Sequence, residues 1–206
     1  MLHYESIEPS TLELLKRIQA RKELSETRLV GGTALAMQFG HRISVDLDIF
    51  GRWDRSIDLK TIFSEIGHTV KHSGAVDAKL QFFEVAGVKV DCVTYDEFPW
   101  ISEPIEADGV RLAGIADIAA MKINAITNRG TRKDFVDLAF LLRYNSLKTI
   151  FEWYRKKYVD ANLALAVRSL TYFVDAEKMP MPRMLLPFEW DVAKDSLRKA
   201  VREQFG

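Results

Sequence analysis

Two aspartates separated by one residue, Asp46 and Asp48 in Ser44-Val45-Asp46-Leu47-Asp48-Ile49-Phe50, follow the glycine pair Gly31-Gly32 by little more than one short helix. On a β-strand, residues two apart share a face, with α-carbons roughly 6–7 Å apart. Two such carboxylates can serve one hard cation. Magnesium takes oxygen ligands octahedrally, commonly one or two carboxylates with phosphate oxygens completing the shell. The glycine pair supplies the complementary half. Phosphate oxygens approach exposed backbone N–H groups closely only where no Cβ intervenes. Thr33 then begins a helix whose first N–H groups and dipole favour an anion. Asp91, in Val88-Lys89-Val90-Asp91-Cys92-Val93, is a carboxylate in a strand-like run and is unfavourable if buried alone. It is the candidate third ligand of a two-metal site. Ser44 either caps a turn or contacts phosphate.

Each of these features has a plainer reading. Alternate aspartates also mark the solvent face of an edge strand, and Asp91 has Lys89 and Lys79 as possible ion-pair partners. Further along, Lys122 and Arg129 fall seven residues apart on one helical face, suiting a triphosphate, although Lys122 in apolar company can instead snorkel to water. Asp134 stands three residues after Thr131, where a capping box places its acid. Asp137, one turn later, reads as structural. The basic runs Arg129–Lys133 and Arg155–Lys157 are either an RNA-facing patch or solvated helix faces. The four histidines show no metal-ligand spacing. Phe50, Trp53, Phe82 and Phe83 read as core.

The elements that must position these groups are legible in outline. The pattern predicts an amphipathic helix over 9–25 and a short buried strand at 28–30. A helix from Thr33 to Phe39 follows, stopped by Gly40, then a strand over 44–50 and a helix near 57–66. A hairpin runs from Ala78 to Val85 and from Val88 to Tyr95 about an Ala86-Gly87 turn. After a loop with Pro99 and Pro104, helices are predicted at 115–128, 132–144, 147–157, 159–171 and 190–204. The expected fold is α+β: a small mixed sheet flanked by helices in residues 1–105, a helical lobe in 106–206, and an active site in the cleft between them.

Composition narrows the function classes. The 206 residues carry 29 basic and 29 acidic side chains, a formal net charge of zero, so no global field draws the chain to nucleic acid. A polynucleotide would need a local basic patch. One cysteine, Cys92, forms neither an intrachain disulfide nor a cysteine-based zinc site. No membrane span or signal peptide is recognisable, so a cytoplasmic protein is expected.

The blocks Gly31-Gly32-Thr33-Ala34-Leu35-Ala36, Arg42 to Phe50, Lys122, and Arg129-Gly130-Thr131-Arg132-Lys133-Asp134-Phe135-Val136-Asp137-Leu138 resemble the AbiEii/AbiGii family. These are polymerase-β-like nucleotidyltransferase toxins of type IV toxin–antitoxin and abortive-infection systems. The resemblance spans about Arg28 to Leu142. It implies that Gly31 and Gly32 cradle a nucleoside triphosphate, with Thr33 and Ser44 beside them, and that Asp46 and Asp48 bind magnesium. It also implies that Lys122 contacts phosphates with help from Arg129, and that Asp134 acts as a base or orients the acceptor hydroxyl. An RNA acceptor, transfer RNA in similar members, and a cognate antitoxin protein are implied as partners. Two alternatives stay open: a small-molecule nucleotidyltransferase of the aminoglycoside type, and a non-catalytic module that binds nucleotide or a partner.

Overall fold

A computed structural model describes residues 1–67, 69–77 and 79–206, with backbone only for 75–77; His68 and Ala78 fall outside the described residues. The chain forms two compact units. One comprises Met1–Phe98 with Glu103–Ala113; the other comprises Pro99–Ser102 with Gly114–Gly206.

The first unit is built on a mixed sheet. Its described elements are α1 (Pro9–Gln19), β1 (Glu26–Val30), α2 (Gly31–Phe39), β2 (Leu47–Arg52), α3 (Leu59–Ile66), β3 (Val70–Asp77), β4 (Leu80–Val85), β5 (Val88–Thr94), β6 (Ile105–Ala107) and β7 (Val110–Leu112). The strand order is β3-β4-β5-β2-β1-β7-β6. β2 lies antiparallel to β1 and parallel to β5. Paired positions share a face, so the register sorts the strands into two sides. Leu29, Leu47, Ile49, Phe83, Val85, Val90 and Cys92 occupy one side and are buried. Helix α3 covers that side, with Phe63 edge-on to Phe83 at 4.9 Å between ring centroids. Leu14, Leu15 and Ile18 of α1 and Ile62, Phe63 and Ile66 of α3 supply the buried helical stripes. Arg28, Asp48, Phe50, Phe82, Lys89 and Asp91 occupy the opposite side, where none is buried.

Two turns follow their residue chemistry. Gly40 ends α2 in the left-handed conformation, φ 62°, as a C-terminal glycine does. Ala86 and Gly87, with φ 51° and 80°, form the tight turn of the β4–β5 hairpin. Strands β3, β6 and β7 depart from the sequence expectation. β6 and β7 were assigned to loop, in part to the helical lobe. They are three residues each, too short for alternation to register, and β7 joins the sheet through a parallel pairing of Leu112 with Leu29. The change to helix thus falls at Gly114, not at residue 106. The predicted helices 9–25 and 159–171 shorten to α1 and to Leu163–Ser169.

The second unit is helical: α4 (Ile115–Asn128), α5 (Arg132–Leu141), α6 (Leu147–Lys157), α7 (Leu163–Ser169) and α8 (Trp190–Phe205). Gly130, φ 51°, separates α4 from α5. Phe135, Phe173 and Trp190 form an aromatic cluster in its core. No described helix is long and apolar enough to cross a membrane.

Candidate active site

Because β1 and β2 run antiparallel with Val30 opposite Asp48, the turn that leaves β1 is laid directly beside the start of β2. Gly31 takes φ 70°, and a Cβ there would land on the Asp48 carboxylate. A Cβ on Gly32 would land on the Arg42 guanidinium, with the Ser44 hydroxyl 3.5 Å away. Gly31 is thus favoured by both its φ and the close approach of Asp48, while at Gly32 a side chain would have to push the Arg42 guanidinium aside. Helix α2 begins at this turn, and its N-cap residue, Val30, makes no side-chain capping bond; an anion is favoured at such an end. Thr33 and Ser44 are buried and brace the turn. Their hydroxyls are 2.8 Å apart, and Thr33 also donates to the Asp46 carbonyl. They hold the backbone that carries Asp46 and present little surface of their own to a ligand. Sequence reasoning gave Arg42 no role, yet its guanidinium is buried against the glycine turn. A cation in the loop between α2 and β2 has no periodic signal to announce it.

The parallel pairing of β2 with β5 sets Asp48 beside Asp91. Asp46 and Asp48 are half-buried, and the Asp91 side chain is 15% exposed. Lys89 Nζ lies 2.7 Å from Asp91 Oδ2. The hydrogen bond to Asp91 holds this ammonium above its ordinary pKa; partial burial opposes the shift, and the charges of Asp91, Asp46 and Asp48 add to it. Asp48 and Asp91 thus stand side by side on paired strands, with the Lys89 ammonium on Asp91. Asp91 Oδ1 is buried and has no hydrogen-bond partner. An anionic oxygen left in that condition is unfavourable unless a cation or donor reaches it. Among the described residues, no three His, Cys, Asp or Glu side chains are drawn together closely enough to hold an ion by themselves. That suits magnesium, which retains water and completes its shell with substrate phosphate. The orphaned Asp91 oxygen and the glycine cradle both fit a magnesium–triphosphate group. Behind the carboxylates, Cys92 is buried and its thiol is pushed well above the ordinary value by burial, reinforced by Asp91 and Asp48, so it is inert packing. Phe83 and Trp53 are core as expected, whereas Phe50 and Phe82 lie half-exposed on the carboxylate side.

In the helical unit the expected site residues are arranged differently. Lys122 is buried, 2.6 Å from Asp137 Oδ2 and 3.1 Å from Asp134 Oδ1. Asp134 also accepts from Arg129 Nε at 3.0 Å and Nη2 at 3.1 Å, and from the Thr131 hydroxyl and backbone N–H, completing the capping box. Burial raises its pKa, but Lys122, Arg129 and Thr131 outweigh that and hold the carboxyl well below the usual carboxylate range. Two expectations meet a different geometry here. Asp134 is fully buried with both oxygens engaged, an arrangement that fits orienting its neighbours better than proton transfer. Lys122 is not a phosphate contact as placed: its charge is committed to two buried carboxylates. Asp137, read as structural, is its closest partner. Arg129 presents one edge to Asp134, while 58% of its side chain is exposed. Of the basic runs, Lys157 is buried on Asp117 and the Pro99 carbonyl, and Arg132 binds the Ala176 carbonyl and packs on Trp190; neither faces solvent as a patch.

Comparison with known proteins follows the same lines. The family described as nucleotidyl transferase AbiEii toxin, type IV TA system, matches residues 13–202. An uncharacterised protein of Aquifex aeolicus is 31% identical over 196 residues, covering 93% of this chain and 94% of its own. Among solved structures, JHP933 from Helicobacter pylori aligns at a TM-score of 0.57 and 18% identity, over 96% of this chain and 93% of that one. MenT4, a nucleotidyltransferase toxin of Mycobacterium tuberculosis, aligns at 0.56 and 12%, over 93% and 80%. The antibiotic-resistance factor ANT(2'')-Ia aligns at 0.55 and 17%, over 70% and 89%. At these identities the structural matches establish the fold.

Proposed function

The chain belongs to the AbiEii family of nucleotidyl transferase toxins of type IV toxin–antitoxin systems, and from that premise we propose that it transfers a nucleotide from a nucleoside triphosphate to an RNA acceptor, transfer RNA first among them, in a magnesium-dependent reaction. The observation that carries the reading is the placement of Asp48 directly against Gly31, with Asp91 beside it on the parallel strand. Phosphate cradle and metal carboxylates are then a single constellation.

Asp46, Asp48 and Asp91 would hold magnesium, which supplies charge neutralisation to the triphosphate and lowers the pKa of the attacking hydroxyl. The backbone N–H groups from Gly31 onward bind the phosphate oxygens, and the buried Arg42 guanidinium beside Gly32 adds fixed positive charge where the leaving pyrophosphate becomes more anionic. Thr33 and Ser44 keep that loop in register. Phe50 and Phe82 offer ring surface to a nucleobase on the same side of the sheet. Arg129, with its exposed edge, remains a candidate phosphate contact in the helical unit. The expected partner in the cell is the cognate antitoxin of the type IV system, and the expected compartment is the cytoplasm.

A second reading rests on the likeness to ANT(2'')-Ia: transfer to a small hydroxylated acceptor such as an aminoglycoside. Incubation with each labelled nucleoside triphosphate, magnesium, and either total RNA or aminoglycosides separates the two. Label in RNA, abolished by Asp46→Asn with Asp48→Asn, is the expected result. Label in the antibiotic alone would replace the RNA reading. Label in neither, with toxicity unchanged in the double variant, would support the non-catalytic alternative.

A further inference from the structure

Lys89 was expected only as an ordinary ion-pair partner of Asp91. Its position asks for more. It lies on β5 two residues before Asp91, on the same side of the sheet, and its ammonium occupies Asp91 Oδ2 at 2.7 Å. Asp48, a second group that would hold the metal, is the register partner of Asp91 on the neighbouring strand. The Lys89 side chain is 57% exposed, on a flexible four-carbon stem, so it is able to swing away without disturbing the strand. Across β4 its register neighbour Glu84 is engaged by Lys71, 2.8 Å away, and is not its partner.

We propose that Lys89 is a resident competitor for the divalent-ion site: its ammonium neutralises Asp91, and a metal ion must displace it from that carboxylate to bind with full affinity. The inference rests on the magnesium reading above. An ammonium that is itself more than half exposed is worth little as a salt bridge, but here it screens Asp91 from Asp48 on the adjacent strand. The affinity for the ion is then set lower than an unpaired Asp91 would give. A cation entering the trio finds Asp91 Oδ1 unpartnered and Oδ2 taken.

Calorimetric titration with Mn²⁺ and Mg²⁺, and melting with and without each ion, on wild type, Lys89→Met, Lys89→Arg and Asp48→Asn test this. Lys89→Met is expected to bind the ions about five- to tenfold more tightly. It should also melt at a lower temperature without metal and show a larger metal-induced rise. Lys89→Arg should retain wild-type affinity. Unchanged or weaker binding by Lys89→Met, or an arginine variant that behaves like methionine, overturns the competitor role while leaving the metal site standing, provided wild type binds and Asp48→Asn does not. If wild type binds neither ion, the magnesium reading falls and this inference with it.

Discussion

Asp46, Asp48 and Asp91 on the sheet and Asp117, Asp134 and Asp137 among the helices place one residue type in two opposite situations. In the helical unit the three are fully buried and heavily partnered. Asp117 accepts from the backbone N–H groups of Ile101 and Ser102, from the Ser102 hydroxyl, and from Lys157 at 2.7 Å; Asp134 and Asp137 share Lys122. These carboxylates tie segments together. On the sheet the three lie partly exposed; Lys89 sits on Asp91 at 2.7 Å, and the other Asp91 oxygen is left bare. What separates a structural acid from a candidate catalytic one here is the completeness of its donor set. A saturated carboxylate has no lone pair left for a ligand, whereas the unpartnered Asp91 oxygen leaves room for a cation.

The comparison breaks first at Asp48→Asn. The transfer rate should fall about 10³-fold, because loss of a metal ligand removes several kcal/mol of transition-state stabilisation. Unfolding free energy in urea should stay within about 0.5 kcal/mol of wild type or rise, since a like charge is removed. A large loss of stability with activity retained would put Asp48 in the structural class. Lys157→Met is the converse. It strands Asp117 without its cation, and unfolding free energy should drop by about 3–5 kcal/mol, with the rate per folded molecule unchanged.

Gly31→Ala sharpens the geometric claim. The left-handed φ and the collision with Asp48 should together lower stability by about 1–2 kcal/mol and reduce transfer at least about tenfold. Acid unfolding offers a gentler test of the saturated class. The Asp134 carboxyl has a folded pKa below its unfolded value of about 4, so its stabilisation is fully present above that pH. It is lost as pH falls through the folded pKa. Stability should therefore decline below about pH 4, and Asp134→Asn should show a shallower decline. The smallest effect is expected at Lys71→Ala, which removes an exposed cross-strand pair with Glu84 and should shift unfolding by at most about 0.5 kcal/mol.

Much of this arrangement could be read from the chain alone. The Asp46–Asp48 spacing, the glycine pair and Asp91 carry their chemistry in residue type and period, and each lies on the element expected for it or directly beside it. The tight turn at Gly31-Gly32 and the capping box of Thr131 with Asp134 are local, so they too were visible. Strand β3, although eight residues long, has its glycine and polar residues interrupting the alternation, with register shifts against β4. β6 and β7 were too short to declare themselves. The burial and ion pairing of Lys122 and Asp134 were not legible because solvent exposure and the number of donors around a carboxylate are collective properties, absent from any one segment.

Residue order by itself determined the local devices: which segment turns at glycine, which strand carries paired acids, which helix opens on a capped threonine. Each follows from steric limits and periodicities within a few consecutive residues. Only the tertiary structure decided which charges meet. The antiparallel return of β2 past β1 lays Asp48 on Gly31, and the parallel addition of β5 brings Asp91 and Lys89 to them. Electrostatic partnership depends on distance through space and on the water excluded between groups, and neither is encoded at any single position.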